Sequence, residues 1–520
     1  MCFLMFIAAK LPFFAESTTR RSGAIFFYLY PMSFILPAFY SALFIFLIYR
    51  MEFFRLPFLS KNAMAGLFVW KLLAAACAWL IFTSYYGTPD LSVYFRDSSA
   101  IIHNFFHPEQ RQALSWDPLF HDPVFDGTPL MIGINTFFQL FSFGNYYVHA
   151  VFFCIFSFIG LTGLLKVFNK HFPQKRSIVI ALFFVPGVWF WGSAPVKECV
   201  VIGACGLLVW LTDFGLRQSY SKREIFFTCF LLLFTGWLKI YVLCAIMPLL
   251  VVNGIMVSTT GQKYGRSYLL VFGSIVLMAA AAAFFSPRYN ILRIISDKQA
   301  KAISEARGGV FLASEKNFIS VDYKNAGTIL HSQPDGTYRI NDGSSYLLWQ
   351  QNNMTDTTYI TNSKDTSSYN WLYSVIPAGS VREVKKLRPL PADYIAYAPV
   401  AFFETLVQPA FGNADSWLKL AAFVENCWIL LLIVLSICFF DRTVLQKKEI
   451  LFFCLSFAVI IFVLIGITTP AIGGMVRYRS IGLLFLVSAC FLMLDEKKLM
   501  GFLRIAKAED DLSDVMDELK

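Results

Sequence analysis

"ILFFCLSFAVIIFVLIGIT", residues 450 to 468, runs for 19 residues without a charge. At about 1.5 Å of rise per residue, a helix of that length matches the hydrocarbon thickness of a bilayer. Working outward, comparable runs stand at about 23 to 49, 63 to 86, 145 to 168, 177 to 193, 199 to 216, 225 to 238, 240 to 257, 267 to 285, 416 to 440 and 480 to 495, the shorter ones extended by their flanks. Together they predict about eleven transmembrane helices. Of the 520 residues, 57% are hydrophobic, 17% aromatic and only 15% charged. The mean hydropathy is +0.58, well above that of soluble domains. The expected fold class is an all-α polytopic membrane protein.

The net charge of +10 does not point to nucleic acid, because a nucleic-acid binder gathers its basic residues into one patch or stripe. Here they form short clusters between apolar runs: Arg50, Arg55 and Lys61; Lys166, Lys170, Lys175 and Arg176; Arg217, Lys222 and Arg223; Lys263 and Arg266; Arg442, Lys447 and Lys448; Lys497, Lys498, Arg504 and Lys507. Alternation with weakly basic connections marks these as the cytoplasmic side. The organisation that follows has an N-terminal interfacial segment at 1–22, two spans within 23–86, and an extracytoplasmic loop with interfacial helices at 87–144. Spans then fill 145–285, an extracytoplasmic insertion occupies 286–415, C-terminal spans cover 416–495, and 496–520 is an acidic cytoplasmic tail. The insertion is rich in Thr, Ser, Asn and Tyr, with Pro-Asp-Gly between two strand-like runs, so a small unit of mixed or β character is expected. All eleven cysteines lie in or beside apolar runs without paired or metal-ligand spacing. They are expected as core residues, with no disulfide. No Walker or dinucleotide fingerprint is present, which argues against ATP-driven transport by this chain alone.

Ionisable chemistry gathers in "YYGTPDLSVYFRDSSAIIHNFFH", residues 85 to 107. A helical period puts Ile101 and Phe105 on one side and Arg96, His103 and His107 on the other, the pattern of an interfacial helix. Asp90 opens it. Asp is among the best N-caps, and a partly desolvated carboxylate at a membrane surface also suits a general base or metal ligand. His103 and His107, four apart, fit either a shared metal or a wet helix face. Asp117, His121, Asp122 and Asp126, separated by prolines, read as loop polarity.

An early span, an outer interfacial helix carrying an Asp and a later large outer insertion together resemble the GT-C class of membrane glycosyltransferases. That resemblance implies transfer of a sugar from a polyprenyl-phosphate-linked donor on the non-cytoplasmic face, with a first-loop carboxylate in catalysis. Asp90 matches the catalytic position and Asp97 is second. The class commonly pairs two carboxylates, whereas the neighbours here are "PDLS". Asp90 and Asp97 are also the candidate ligands of a divalent cation, magnesium or manganese. Two further stretches, "FFVPGVWFWGSAPVKECVVIG" (183 to 203) and "IGGMVRYRSIGLLF" (472 to 485), resemble membrane proteins of bacterial surface-polysaccharide clusters.

Physical reasons stand beside that likeness. Lys197 and Glu198 fall at a span mouth, where ionisable groups are expensive unless wet or paired. A helix start also accounts for them, with Ser193 as cap, Pro195 in the first turn and Glu198 complementing the dipole. Arg477 and Arg479 lie on the outer side, against the positive-inside tendency. A lipid phosphate would suit their planar forks, and snorkelling to headgroups is the plainer alternative. Both reach one phosphate only if the chain is non-helical there, which Gly473 and Gly474 allow. Lys239 in "GWLKIYV" is a similar candidate.

The expected function is a glycosyltransferase of the bacterial inner membrane with its catalytic face periplasmic, acting on a lipid-linked sugar donor and a lipid or glycan acceptor in surface-polysaccharide or envelope-glycan assembly. Its rivals are an O-antigen-type polymerase or ligase, a scaffold subunit, and a non-enzymatic transporter or flippase. The last would show broken helices or mid-span ionisable residues, and Lys71 is the clearest of these.

Overall fold

The computed structural model describes residues 32–85, 90–110, 112, 114, 127–218, 220–258, 264–285, 290–313, 317–322, 330–332, 338–340, 345–350, 353–361, 371–375, 378–413 and 415–503. The segment 1–22, the loop residues Asp117, His121, Asp122 and Asp126, and most of the acidic tail lie outside them. The chain is predominantly helical. Among the described residues four helices are long and apolar enough to cross a membrane: Lys61–Thr83, Tyr146–His171, Trp417–Cys438 and Arg442–Thr468. A pair bent by 54°, Ile472–Tyr478 and Ser480–Met493, makes a fifth if counted as one span. The count of eleven is not reached, because several apolar runs form helices that are short, broken or end inside the bundle.

In chain order the N-terminal half contains α1 (Met32–Arg50), α2 (Lys61–Tyr85), α3 (Asp90–Phe106), α4 (Thr128–Ser142), α5 (Tyr146–His171), α6 (Ile178–Phe183), α7 (Pro186–Trp191), α8 (Lys197–Gln218), α9 (Lys222–Leu238), α10 (Ile240–Ser258) and α11 (Tyr264–Phe285). Then come α12 (Ile291–Arg307), strands β1 (Gly309–Ala313), β2 (Asn317–Asp322), β3 (Leu330–Ser332), β4 (Tyr338–Ile340), β5 (Ser345–Gln350), β6 (Asn353–Thr361) and β7 (Trp371–Val375), and finally α13 (Pro391–Val407), α14 (Trp417–Cys438), α15 (Lys448–Thr468), α16 (Ile472–Tyr478) and α17 (Ser480–Met493). The strands form an antiparallel sheet in the order β6-β5-β2-β1-β7, with β3-β4 as a separate hairpin.

The central packing is α5 against α8, running in the same direction. A Cβ added at Gly160 would stand 2.1 Å from the Gly203 carbonyl oxygen, and one at Gly206 would stand 2.2 Å from that of Gly160. Small residues let the two backbones touch, as bundles in lipid require where hydrophobicity alone drives no association. At their common end Asp213 of α8 receives Lys170 at 3.0 Å and His171 at 2.7 Å. The same end of the bundle is tied by Lys175, 2.7 Å from Asp441 and donating to the Leu494 carbonyl at 2.5 Å.

The run 177–193, predicted as one span, is instead α6 and α7, two six-residue helices. Pro186 at the first position of α7 lacks the N–H that a continuous helix needs there. After Trp191 the chain turns at 192–196 and α8 starts, well inside the bundle. Its depth follows from Cys154, which donates to the Ser193 and Lys71 carbonyls. Cys154 lies two turns into α5, roughly 12 Å from that helix's first residue at 1.5 Å per residue.

A helix that stops inside a bundle leaves carbonyls that water cannot reach. Two buried cations meet them. Lys71 of α2, 1% exposed, donates to the Gly192 carbonyl at 2.6 Å and to Ser193 Oγ at 3.0 Å. Arg479, fully buried at the bend between α16 and α17, donates to the Thr405, Leu406 and Gln408 carbonyls at the end of α13, at 3.0, 3.3 and 2.7 Å. α13 packs on α15, where a Cβ at Gly466 would lie 2.2 Å from the Ala401 carbonyl oxygen, so residues 391–407 belong with the helical bundle. The chain returns from the sheet through a strap at 378–390, which pairs with the α15–α16 connection. Ile472 donates to the Ser380 carbonyl and Arg382 to that of Pro470, both at 2.9 Å.

Candidate functional site

Three helix ends meet on one residue. Glu198, in the first turn of α8, is fully buried. Its Oε1 lies 2.7 Å from Lys239 Nζ, and its Oε2 accepts from Arg477 Nε at 2.7 Å. Lys239 is the single residue between α9 and α10, extended at φ −151° and ψ 91°, where the chain reverses direction. Arg477 comes from α16, the short arm of the bent pair. A carboxylate in the first turn faces the positive end of α8's dipole, and the two cations complete its coordination in a place where an unpaired charge would be costly.

Aromatic faces line these cations. Lys239 Nζ stands 3.8 Å from the Tyr478 ring centroid and 5.5 Å from that of Tyr241, and the Arg477 guanidinium is 5.7 Å from both Trp191 and Tyr478. Lys197, beside Glu198, donates to Thr128 Oγ1 of α4 at 2.9 Å and lies 5.9 Å from the Tyr94 ring of α3. Thus the helix of residues 90–106 adjoins the cluster. Phe82, Leu91, Phe95, Tyr146, Trp191 and Val196 pack together beneath it.

The structure redistributes the residues that the sequence singles out. Glu198, Lys239 and Arg477 come together, while Lys197, next to Glu198 in the chain, turns to Thr128 and Tyr94. Arg479 does not join them: its donors are used on α13 carbonyls and on Asn426 Oδ1 at 2.5 Å, with Glu425 3.7 Å away. Residues two apart diverge because α16 remains helical across Gly473 and Gly474, so the two arginines cannot share one phosphate. On α3, Leu91, Tyr94, Phe95 and Ser98 face the bundle and Ile101 continues that side onto the core, while Arg96 is exposed and Phe105, at the helix end, is 77% exposed.

Asp97 is buried on that side, with Arg96 Nε 3.9 Å from its Oδ1 and the rest of Arg96 exposed. Asp90 opens α3, one turn before Tyr94; its side chain lies outside those described. His103 and His107 lie with ring centroids 5.0 Å apart and planes tilted by 40°, and His107 Nδ1 is 3.6 Å from Glu109. Among the described residues no three His, Cys, Asp or Glu side chains stand close enough together to hold a metal ion.

A second polar chain links α3 to its neighbours. Gln139 donates to Ser98 Oγ and Ser99 Oγ at 3.2 and 2.7 Å, and Ser142 Oγ bonds His149 Nε2 at 2.8 Å. The other ring nitrogen of His149 bonds Asn135 Oδ1 at 2.8 Å. These buried, mutually satisfied groups fix α3 against α4 and α5.

Compared with protein-family models, with curated proteins and with solved structures, the chain matches none. The site therefore rests on its own geometry. Sequence reasoning missed Tyr94, Thr128, Trp191 and Tyr478 as neighbours of the cations, and Glu425 as the companion of Arg479. Glu425 carried a signal, since an acid well inside an apolar run needs a partner.

Proposed function

We propose that the protein is a membrane glycosyltransferase that takes a sugar from a polyprenyl-phosphate-linked donor and passes it to a lipid or glycan acceptor at the periplasmic face of a bacterial inner membrane. One observation carries the reading: Lys239 and Arg477, from two separate helix ends, meet on Glu198 at the start of α8, and the adjacent Lys197 reaches α4 and α3 through Thr128 and Tyr94. The reaction is a displacement at the anomeric carbon. The acceptor oxygen forms the new bond, the bond to the donor phosphate breaks with its electron pair, and the acceptor proton passes to a carboxylate. Asp90, which opens α3 one helical turn before Tyr94, is our candidate for that base. The cations stabilise the departing phosphate.

A specific feature favours a second reading, a carrier of lipid-linked glycans. The broken pair α6–α7 and the bent pair α16–α17 meet at the charged cluster, and discontinuous helices with charged groups at mid-depth are the architecture of transporters.

The test uses the purified protein in nanodiscs with undecaprenyl phosphate and undecaprenol as probes, and native mass spectrometry as the readout. Preferential retention of the phosphate, weakened about tenfold or more by Arg477→Gln or Lys239→Gln, is expected. Equal retention of both lipids overturns the phosphate site. Glycan elongation on a lipid acceptor in membranes then separates the rivals: Asp90→Asn should be abundant yet lose transfer by roughly two orders of magnitude. Translocation of a labelled lipid-linked sugar without any transfer would establish the carrier instead.

A further inference from the structure

Lys71 is a basic side chain buried at mid-depth whose partners are neutral acceptors: the Gly192 carbonyl and Ser193 Oγ. The Gly192 oxygen is unusually occupied. It accepts from Lys71 Nζ at 2.6 Å, Ser157 Oγ at 2.6 Å and Cys199 Sγ at 3.1 Å, that is, from α2, α5 and α8 at once. It also lies at the carbonyl end of α7, where the helix dipole is negative and a cation is favoured. Cys154 closes the remaining side by donating to the Ser193 carbonyl at 3.3 Å. Five residues beyond Gly192, α8 begins with Lys197 and Glu198.

We propose that Lys71 is a positioning residue: its Nζ, capping α7 from a neighbouring helix through Gly192 and Ser193, sets the depth at which α8 begins and so brings Glu198 between Arg477 and Lys239. Ser157 and Cys199 reach the Gly192 carbonyl but not Ser193 Oγ, so Lys71 Nζ is the donor that joins the two. Without it the turn at 192–196 loses its fixed height, and the first turn of α8 shifts away from α16 and from the α9–α10 connection. That the cluster binds lipid phosphate rests on the function proposed above; the placement of the turn does not.

The experiment compares the full-length protein in nanodiscs with Lys71→Met, which keeps the length and apolar stem of the side chain and removes its donor nitrogen. One arm maps N-ethylmaleimide labelling by peptide mass spectrometry. Expected is normal abundance with Cys154 and Cys199, which flank the turn, labelling about tenfold faster, while Cys454 and Cys490, buried in α15 and α17, stay protected. A general loss of packing would expose all four. The second arm measures undecaprenyl phosphate retention, expected to fall in parallel. Protected Cys154 and Cys199 in an abundant Lys71→Met protein overturn the proposal. If that variant does not accumulate, Ser193→Ala decides, since it deletes one of the two acceptors of Lys71: partial labelling of Cys199 supports the proposal and full protection overturns it. If the unmodified protein retains no undecaprenyl phosphate, the function proposed above fails while the thiol arm still decides the role of Lys71.

Discussion

Arg479 holds its charge where no water reaches it, with three carbonyls, Asn426 and Glu425 around it. Removing one member of such a buried set leaves the others uncompensated, at a cost of about 3–5 kcal/mol. Arg479→Gln should therefore fall sharply in membrane abundance, as measured by quantitative immunoblotting. Arg477→Gln leaves Glu198 its Lys239 partner, and the new amide can still donate to Oε2, so this variant should accumulate better than Arg479→Gln and lose lipid-phosphate retention. Equal abundance of the two variants would place both arginines in the same role. In the sequence the two look alike, separated by one tyrosine. Which of them is structural depends on where α13 ends, 71 residues earlier for the nearest carbonyl, and nothing local to 477–479 carries that information. Lys197 and Glu198 were legible as candidates because ionisable residues beside an apolar run need a partner; the identity of that partner was not.

At the scale of elements, hydropathy located apolar helices well and helix continuity poorly. A window over 177–193 averages across Val185-Pro186 and returns one span, although proline already marks the break in the sequence. Helix α13 escaped for the opposite reason: Asp393, Pro399 and Glu404 dilute its apolar residues, and its first turns lie beside the strap. Close approach of backbones was equally silent, because a glycine in an apolar run does not say which helix it faces. The contact of Gly160 with Gly203 can be tested directly. Gly160→Ala puts a methyl where a carbonyl oxygen stands at 2.1 Å, so α5 and α8 must separate, at a cost of about 1–3 kcal/mol. The thermal midpoint of the purified protein should fall by several degrees, whereas Gly133→Ala, which meets nothing within 4 Å, should leave it unchanged.

Across the whole molecule, the end opposite the charged cluster is joined by Lys175, Asp441 and Leu494. Burial alone would raise the Asp441 carboxyl, but donors from Lys175 and Thr443 outweigh it and hold the group below its ordinary value. A carboxylate depressed in the folded state contributes stability that is present above its unfolded value, about 3.9, and is lost as pH falls through the folded value. Thermal unfolding from pH 7 downward should show an acid limb that Asp441→Asn flattens, and an unaltered limb would assign acid sensitivity to other groups.

The same tie has a consequence for the order of synthesis. Residues 172–191 leave the ribosome some 230 residues before α14 begins, and although Trp70 of α2 already meets the Phe183 carbonyl and the Trp189 indole, the partners that tie down both ends of the segment are late. Lys175 waits for Asp441 and Leu494, Ser177 for Glu496, and the Gly187 N–H for the Glu425 carboxylate. Until then α6 and α7, each too short to cross a bilayer alone, have no finished place to rest. The hairpin they begin is held open through the making of the sheet. A chain terminated at 415 should thus be inserted and then degraded, whereas co-expression of 416–520 as a separate polypeptide should rescue it, because the closing pieces arrive last in either case.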